Sequence, residues 1–490
     1  MAFTSPSFLI FFIVVFCLLW SLGRTGKTAG NFLLLIASYF FYGFWDWRFL
    51  PLLAIGGLFN FTMGILIGHG RQRAIRKLWL IAGLAGNTGL LFYFKYLDFL
   101  NLFMADLLNS AGVKMNPRPH DIILPLGISF ITFLSISYLV DVYRRKLLPE
   151  KNVVDLALSL SFFPIVTAGP IQRPVTLIPQ IRAKRVFIYD TAVDGLRQVL
   201  WGLFAKVVVA DNCAIYVNEV FAMKSELTSS AYLLGAILFT IQIYADFSAY
   251  SNMAIGTARL LGFNLMQNFN YPYFAKDIAD FWRRWHISLT SWFRDYVFLP
   301  ISYYISGKIK RSHVLLIRTD LVIYIIGMLL TWFLTGLWHG ANITFILWGI
   351  FHAIFLVTHQ FTRKWRKRLN TSRILMVKRS FQVFERILTL ALVVFTMVIF
   401  RSDSIERAAN YLGAMFSGTL YSKPEGFSYF LLIPVVFYFL VEWFQRKKQH
   451  GLEFSGNKKY IAARWSFYML ILLLLFLYQK TPQEFYYFRF

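Results

Sequence analysis

Long apolar runs, each about the length one helix needs to cross a bilayer, recur along this chain between short polar or basic stretches. They predict membrane spans near 8–22, 32–45, 49–68, 78–94, 121–140, 153–169, 192–210, 231–248, 320–338, 343–359, 384–400, 427–443 and 466–479. The pattern is that of an all-α polytopic membrane protein with about 11–13 transmembrane helices. Several runs are broken by Gly and Pro, as in Phe162-Phe-Pro-Ile-Val-Thr-Ala-Gly-Pro170. Such segments predict broken or re-entrant helices, tolerated where protein or a cavity surrounds them. Residues 270–300 fit no span, because Phe281, Trp282, Trp285, Trp292 and Phe293 mix too closely with Asp280, Arg283, Arg284, Arg294 and Asp295. An interfacial or partly re-entrant helix is expected there, with aromatic rings at headgroup depth and arginines toward phosphates or water.

Composition removes the soluble classes. Hydrophobic residues make up 57% and charged residues only 15% of the 490 positions, against about a quarter charged in a soluble protein. The net charge of +26 would suggest nucleic acid in a soluble chain, but here the basic residues sit in short loops between spans. Arg24 and Lys27, then Arg71 to Lys77, then Arg144 to Lys151 follow the first, third and fifth predicted spans. The positive-inside rule therefore puts the amino terminus outside and these loops in the cytoplasm, with the mixed loop of Asp98, Asp106, Lys114 and Arg118 on the other side. Arg363–Arg368 and Arg446–Lys448 read as cytoplasmic too, which leaves the aromatic tail 485–490 at the outer surface. The first run lacks a basic leader and a small-residue cleavage site, so a retained helix is expected. Cys17 and Cys213 are too few for a disulfide framework. With neither an internal repeat nor an appended soluble domain, one domain over 1–490 is expected.

Candidate chemistry concentrates between 280 and 341. His339 closes an apolar run in Leu334-Thr-Gly-Leu-Trp-His-Gly-Ala341, and a titratable ring at membrane depth is a functional candidate by default. It can take a proton from a hydroxyl attacking an activated acyl group, or it can simply pack at a helix end. Gly336 and Gly340 beside it suggest close approach of a ligand. His286, 339 − 286 = 53 positions earlier, is either a second site residue or interfacial filler. Arg283, Arg284 and Arg294 suit a phosphorylated donor or lipid headgroups equally. Asp246 either positions a catalytic group or pairs with Arg259 to hold helices together. His352 and His359 make a metal conceivable, but no carboxylate stands at ligand spacing, and none is expected. Gly23-Arg-Thr-Gly-Lys-Thr28 fails as a phosphate loop because Ser21 occupies the required first glycine position. Neither a G-x-S-x-G elbow nor an H-E-x-x-H motif occurs. The residues alone leave an enzyme and a transporter open.

A resemblance narrows this. The run Phe281-Trp-Arg-Arg-Trp-His-Ile-Ser-Leu-Thr-Ser-Trp-Phe-Arg-Asp-Tyr296 and the Trp-His-Gly context of 338–340 resemble the membrane-bound O-acyltransferase (MBOAT) family. Within it, the chain is most similar to the bacterial branch that O-acetylates polysaccharides such as alginate. Pro125-Leu-Gly-Ile-Ser-Phe130, Asp141-Val-Tyr-Arg144, Phe162 to Arg173, Tyr244 to Ser251 and Phe269-Asn-Tyr-Pro-Tyr273 carry the same likeness across nearly the whole chain. The resemblance implies a ring of helices around a central funnel, with His339 as the hallmark histidine and His286 as the second site position. It implies transfer of an acyl group, acetyl above all, from a cytoplasmic thioester toward a secreted or cell-surface polysaccharide. Acetyl-CoA or an acyl carrier protein would be the donor and an extracytoplasmic acetyltransferase the partner, in the cytoplasmic membrane of a bacterium, with no bound cofactor. The resemblance does not fix roles for Arg283, Arg284 and Asp246; on their own chemistry these residues, with Trp338, are the expected substrate-side residues. D-alanyl transfer onto teichoic acid, transfer to peptidoglycan, or acyl or glycan transport without catalysis are the alternatives.

Overall fold

The computed structural model describes residues 1–22, 26–116, 122–223, 227–314, 317–454 and 460–486. Arg24, Arg118 and the tail residues 487–490, on which the loop-charge and tail readings drew, lie outside these. Among the described residues the regular structure is helical, apart from a short antiparallel pairing of His313–Val314 with Ile317–Arg318. Among the described residues, seven helices are long and apolar enough to cross a membrane: Trp47–His69, Tyr189–Ala222, Ser229–Leu260, Thr319–His339, Ile343–Phe361, Leu375–Arg401 and Ile461–Tyr478. Pro6–Leu22, Ile128–Tyr143 and Tyr429–Gln445 are shorter apolar helices. The remaining expected spans, 32–45, 78–94 and 153–169, fall on helices Lys27–Gly43, Arg73–Lys95 and Val153–Ser161. The first is only 17 residues long, the second carries Arg73, Arg76 and Lys77 in its opening turns, and the third is nine residues long and stops before Pro164.

The chain divides into two compact units, Met1–Val199 with Met253–Met266, and Leu200–Asn252 with Gln267–Phe490. In the first, polar side chains clasp apolar helices. Asn60 and Asn87 exchange amide hydrogen bonds of 3.2 and 2.9 Å, and Asn31 donates to Asp155 at 2.8 Å. Each bond satisfies a group whose burial alone would be costly. The stretch after Ser161 is buried but irregular, as its prolines predict. It packs on Gly127, which turns the chain at φ 72° and whose missing Cβ would lie 2.1 Å from the Val166 carbonyl oxygen.

The second unit holds the residues singled out above. Helices Thr319–His339 and Ile343–Phe361 form a tight hairpin because glycines let their backbones meet. A Cβ on Gly336 would fall 2.3 Å from the Phe345 carbonyl oxygen, and one on Gly349 2.2 Å from that of Trp332. Gly336 therefore admits a neighbouring helix, not a ligand; a Cβ on Gly340 would likewise strike the Phe345 ring. Residues 278–308 are not one interfacial helix. They form Ile278–Arg284 and Ile287–Phe293, broken at Trp285 and His286, then a wide turn Arg294–Phe298 and helix Leu299–Lys308. Nor does the described part of the tail lie on the surface: Phe485 and Tyr486 are buried against Phe247, Tyr250 and Phe239.

Candidate active site

His286 is held by its backbone as firmly as by its ring. It adopts the left-handed region, φ 43° and ψ 53°, a conformation that costs a non-glycine residue energy and marks an over-determined site. Residues 268–270 bracket the break: Asn270 N–H donates to the Arg284 carbonyl (2.9 Å), and Ile287 N–H to that of Asn268 (2.8 Å). Asn268 then grips the imidazole, its Oδ1 lying 3.0 Å from His286 Nδ1. The same oxygen accepts from the Ser288 hydroxyl (2.8 Å) and backbone N–H (3.3 Å), while Nδ2 donates to Ser251 Oγ (2.9 Å). These donors fix the amide orientation, so His286 Nδ1 carries the proton and Nε2 the lone pair. The ring is only 1% exposed and packs edge-on to Phe247 at 4.6 Å. Burial pushes its pKa down to about 3, so the imidazole is neutral at physiological pH.

His339 ends its helix inside a box of rings. Trp338 (4.8 Å), Trp348 (5.0 Å) and Phe400 (5.1 Å) surround the imidazole, and Phe345 stands at 6.5 Å. Trp338 also lies 6.2 Å from His286. Three residues named from the sequence, His286, Trp338 and His339, therefore meet in one cluster.

Two cavities are lined by neighbours of that cluster. One of about 400 Å³ runs beside the Tyr324–Thr335 stretch and is lined by Trp282, Ile287, Thr335, Arg283 and Arg294. The other, about 420 Å³, lies beyond Gly340, with Phe345 and Phe400 in its wall. Arg283 is largely exposed at the first cavity, with an Asp280 oxygen 3.4 Å away. Arg284 is not in its lining; it bonds Asp280 (3.0 Å) and the Asn270 carbonyl (3.3 Å) and so clamps the segment that brackets His286.

Asp246 departs from its expected pairing. It accepts from Lys206 Nζ at 2.8 Å and from Tyr486 N–H at 2.8 Å, whereas Arg259 pairs with Asp194 at 2.6 Å. Lys206 also binds Asp211 (2.9 Å) and the Gln483 carbonyl (3.0 Å), so a buried ionic knot ties down the 483–486 segment. His352 is a satisfied core histidine, accepting from Trp282 Nε1 at 3.2 Å with Thr396 Oγ1 3.2 Å from its other nitrogen. His359 meets Asp277 and Arg366 instead. Among the described residues no group of three His, Cys, Asp or Glu side chains is placed to hold a metal. Sequence reasoning missed Asn268, Ser288 and Lys206. Asn268 carries a visible signal, since it is a polar residue adjoining the Phe269-Asn-Tyr-Pro-Tyr273 motif.

These features gather two buried histidines into one cluster of an all-helical membrane protein, and residues 152–400 match the membrane-bound O-acyltransferase family. The chain belongs to that family and is an acyltransferase. It is 38% identical over 419 residues to the "Probable alginate O-acetylase AlgI" of Pseudomonas aeruginosa, covering 85% of this chain and 75% of that protein. It is also 32% identical to the peptidoglycan O-acetyltransferase of Helicobacter pylori, over 78% of this chain and 73% of that one. With the teichoic acid D-alanyltransferase of Bacillus subtilis it shares 29% identity over 51% of this chain and 62% of that protein.

Proposed function

We propose that this protein moves an acetyl group from a cytoplasmic thioester, acetyl-CoA or an acyl carrier protein, to an acceptor hydroxyl on the other side of the membrane, for O-acetylation of a secreted or cell-surface polysaccharide. The observation that carries this is the His286–Trp338–His339 cluster, with one cavity lined by Ile287, the chain neighbour of His286, and another lined by Phe345 and Phe400, whose rings pack near His339. A donor thioester entering beside Arg283 and Arg294 would rest its phosphates on guanidinium groups, which match phosphate oxygens. His286, neutral and with its lone pair on Nε2, accepts a hydrogen bond well but holds a proton poorly, so it orients the acceptor hydroxyl. His339 then takes the hydroxyl proton as the oxygen attacks the acyl carbonyl and the thiolate leaves. The surrounding rings exclude water, which limits wasteful hydrolysis. The protein would sit in the cytoplasmic membrane of a bacterium and hand the acetyl group to an extracytoplasmic acetyltransferase. The greater coverage of the acetylating relatives favours acetyl over D-alanyl transfer.

The test is acetyl release from radiolabelled acetyl-CoA by the purified protein in nanodiscs, wild type against His339→Ala. Loss of turnover in a well-folded variant supports the assignment, and turnover restored only by an acylated carrier protein names the other donor. Equal turnover in both proteins would sink the assignment of the chemistry to His339.

A further inference from the structure

A basic helix connects two membrane spans. Helix Arg363–Asn370 follows the span Ile343–Phe361 and precedes the span Leu375–Arg401. The chain carries eight Lys and Arg residues from Arg363 to Arg379, and no Asp or Glu occurs between Asp320 and Glu385. Arg363, Lys364, Lys367 and Arg368 form one exposed stripe at helical spacing, and Arg373 and Arg379 are exposed after it. Among the described residues no carboxylate pairs with any of these six side chains. Arg363 and Lys367 stand four residues apart, as do Lys364 and Arg368, and like charges at that spacing weaken a helix. Anions from outside the chain would relieve that repulsion.

The residues between these cations indicate the kind of anion. Trp365, Ile374, Leu375 and Met376 are all exposed. Apolar side chains interleaved with cations at the ends of two spans suit a headgroup layer, where cations meet phosphates and apolar groups reach the acyl boundary. A soluble acidic protein or a nucleic acid would answer the charge and leave those apolar groups in water. The positive-inside rule assigns this connection to the cytoplasmic face, the leaflet in which anionic lipids attract such basic segments.

The opposite face of the same helix is tied to the segment that precedes His286. Trp365 packs edge-on to Phe381 at 5.4 Å, and Asn370 donates to the buried Glu385 at 2.8 Å. Arg366, half-buried, donates to Glu385 at 2.6 Å and stands 3.7 Å from Asp277. His359 lies 3.2 Å from the same Asp277 and also meets Arg366. Asp277 in turn caps helix Ile278–Arg284, accepting from the Asp280 N–H at 2.8 Å. That helix puts Ala279, Trp282 and Arg283 in the wall of the cavity of about 400 Å³ and ends at the break that carries His286. One ion-pair network therefore joins the basic helix to the reaction segment.

We propose that helix Arg363–Asn370 and the turn after it dock on anionic lipid headgroups of the cytoplasmic leaflet, and that this docking steadies helix Ile278–Arg284 through Arg366 and Asp277. Phosphates relieve the repulsion along the basic stripe, the helix firms, and Arg366 is held against Asp277. The docking stands without the acyl-transfer reading; its consequence for turnover rests on that reading.

Backbone amide exchange in the full chain reads both steps without turnover, in nanodiscs of phosphatidylcholine alone and of phosphatidylcholine mixed with phosphatidylglycerol. With phosphatidylglycerol present, the amides of Arg363–Asn370 should exchange roughly tenfold more slowly, the effect of a few cations near an anionic surface. Those of Ile278–Arg284 should slow by a smaller factor, and high salt should erase both effects. The variant combining Arg363→Gln, Lys364→Gln, Lys367→Gln and Arg368→Gln should show neither. Asp277→Asn still offers a capping oxygen but loses the pairing with Arg366, so it should keep the first response and lose the second. Arg366→Gln should give the same split, and it carries the test if Asp277→Asn does not fold. Acetyl release should rise with phosphatidylglycerol in wild type and not in Asp277→Asn. Intact exchange responses in a wild type that releases no acetyl in either bilayer would count against the acyl-transfer reading alone. Exchange of Arg363–Asn370 that ignores phosphatidylglycerol, or that slows equally in the combined Gln variant, would overturn the docking. A first response without the second in wild type would overturn the coupling. Equal protection by an acidic acyl carrier protein in pure phosphatidylcholine would replace the lipid with a protein partner.

Discussion

Asn268 Oδ1 lies 3.0 Å from His286 Nδ1, and that contact decides which imidazole nitrogen is basic. Because Ser288 donates to the same oxygen through both hydroxyl and backbone N–H, Asn268 cannot turn its amide round without losing those bonds. Asn268→Ala frees the ring to change tautomer and tilt. We expect kcat to fall roughly tenfold or more with little change in KM, short of the ~10²–10⁴ that a whole proton-transfer group contributes. Asn268→Asp, which keeps the acceptor, should recover part of the loss. Steady-state kinetics in nanodiscs checks both, and an unchanged kcat in Asn268→Ala would remove His286 from the mechanism.

Acid should loosen the fold through the same residue. The His286 pKa is lowered by burial from 6.5 to about 3, so the unfolded chain binds the proton more readily between those values. The stability contributed by the neutral ring is present above about 6.5 and is lost as pH falls toward 3. Thermal unfolding between pH 7 and 4 should show a steeper decline in wild type than in His286→Asn. Parallel curves would mean that water reaches the ring.

Gly336→Ala probes the hairpin rather than the ligand site. Its Cβ would lie 2.3 Å from the Phe345 carbonyl oxygen, an atom of the neighbouring helix backbone that moves only if the helices separate. Overpacking of this kind costs about 1–3 kcal/mol, and here it also shifts His339 three residues on. We expect a lower unfolding temperature and lost turnover together. A stable variant with normal turnover would show that the helix pair is more compliant than its packing suggests.

What was legible in the sequence and what was not follows from the range of each interaction. Spans such as 320–338 and 343–359 could be read because membrane insertion depends on local hydropathy, and the helices found there are Thr319–His339 and Ile343–Phe361. The meeting of His286, Trp338 and His339 was legible through motif resemblance. The helix break at His286 was not, because it depends on backbone bonds to residues 268 and 270, and an amphipathic run looks the same whether or not it bends. Arg259 is one partner the sequence offers Asp246, yet the ion pair is with Lys206, 40 positions away on another turn of the fold. The burial of Phe485 and Tyr486 escaped for a related reason: aromatic residues suit a membrane interface and a protein interior equally.

The knot of Lys206, Asp211 and Asp246 separates a structural carboxylate from a catalytic one. Lys206 Nζ holds both carboxylates within 2.9 Å, and all three side chains are nearly excluded from solvent. Lys206→Met leaves two buried carboxylates facing each other with no cation, which should cost about 3–5 kcal/mol. Removing all the charge, in a triple variant with Asp211→Asn and Asp246→Asn, should restore most of that loss, since a neutral buried cluster often matches an ionic one. The asparagine at 246 can still accept from Tyr486 N–H, so the 483–486 segment stays docked. Chemical denaturation of the single and triple variants measures the first part, and acetyl transfer by the triple variant measures the second. Near-normal turnover in a restored fold assigns Asp246 to the architecture, because a carboxylate that takes part in the chemistry cannot be replaced by a neutral amide at so little cost. If stability returns while turnover stays lost, the charge at 246 acts on the reaction and the structural reading of Asp246 fails.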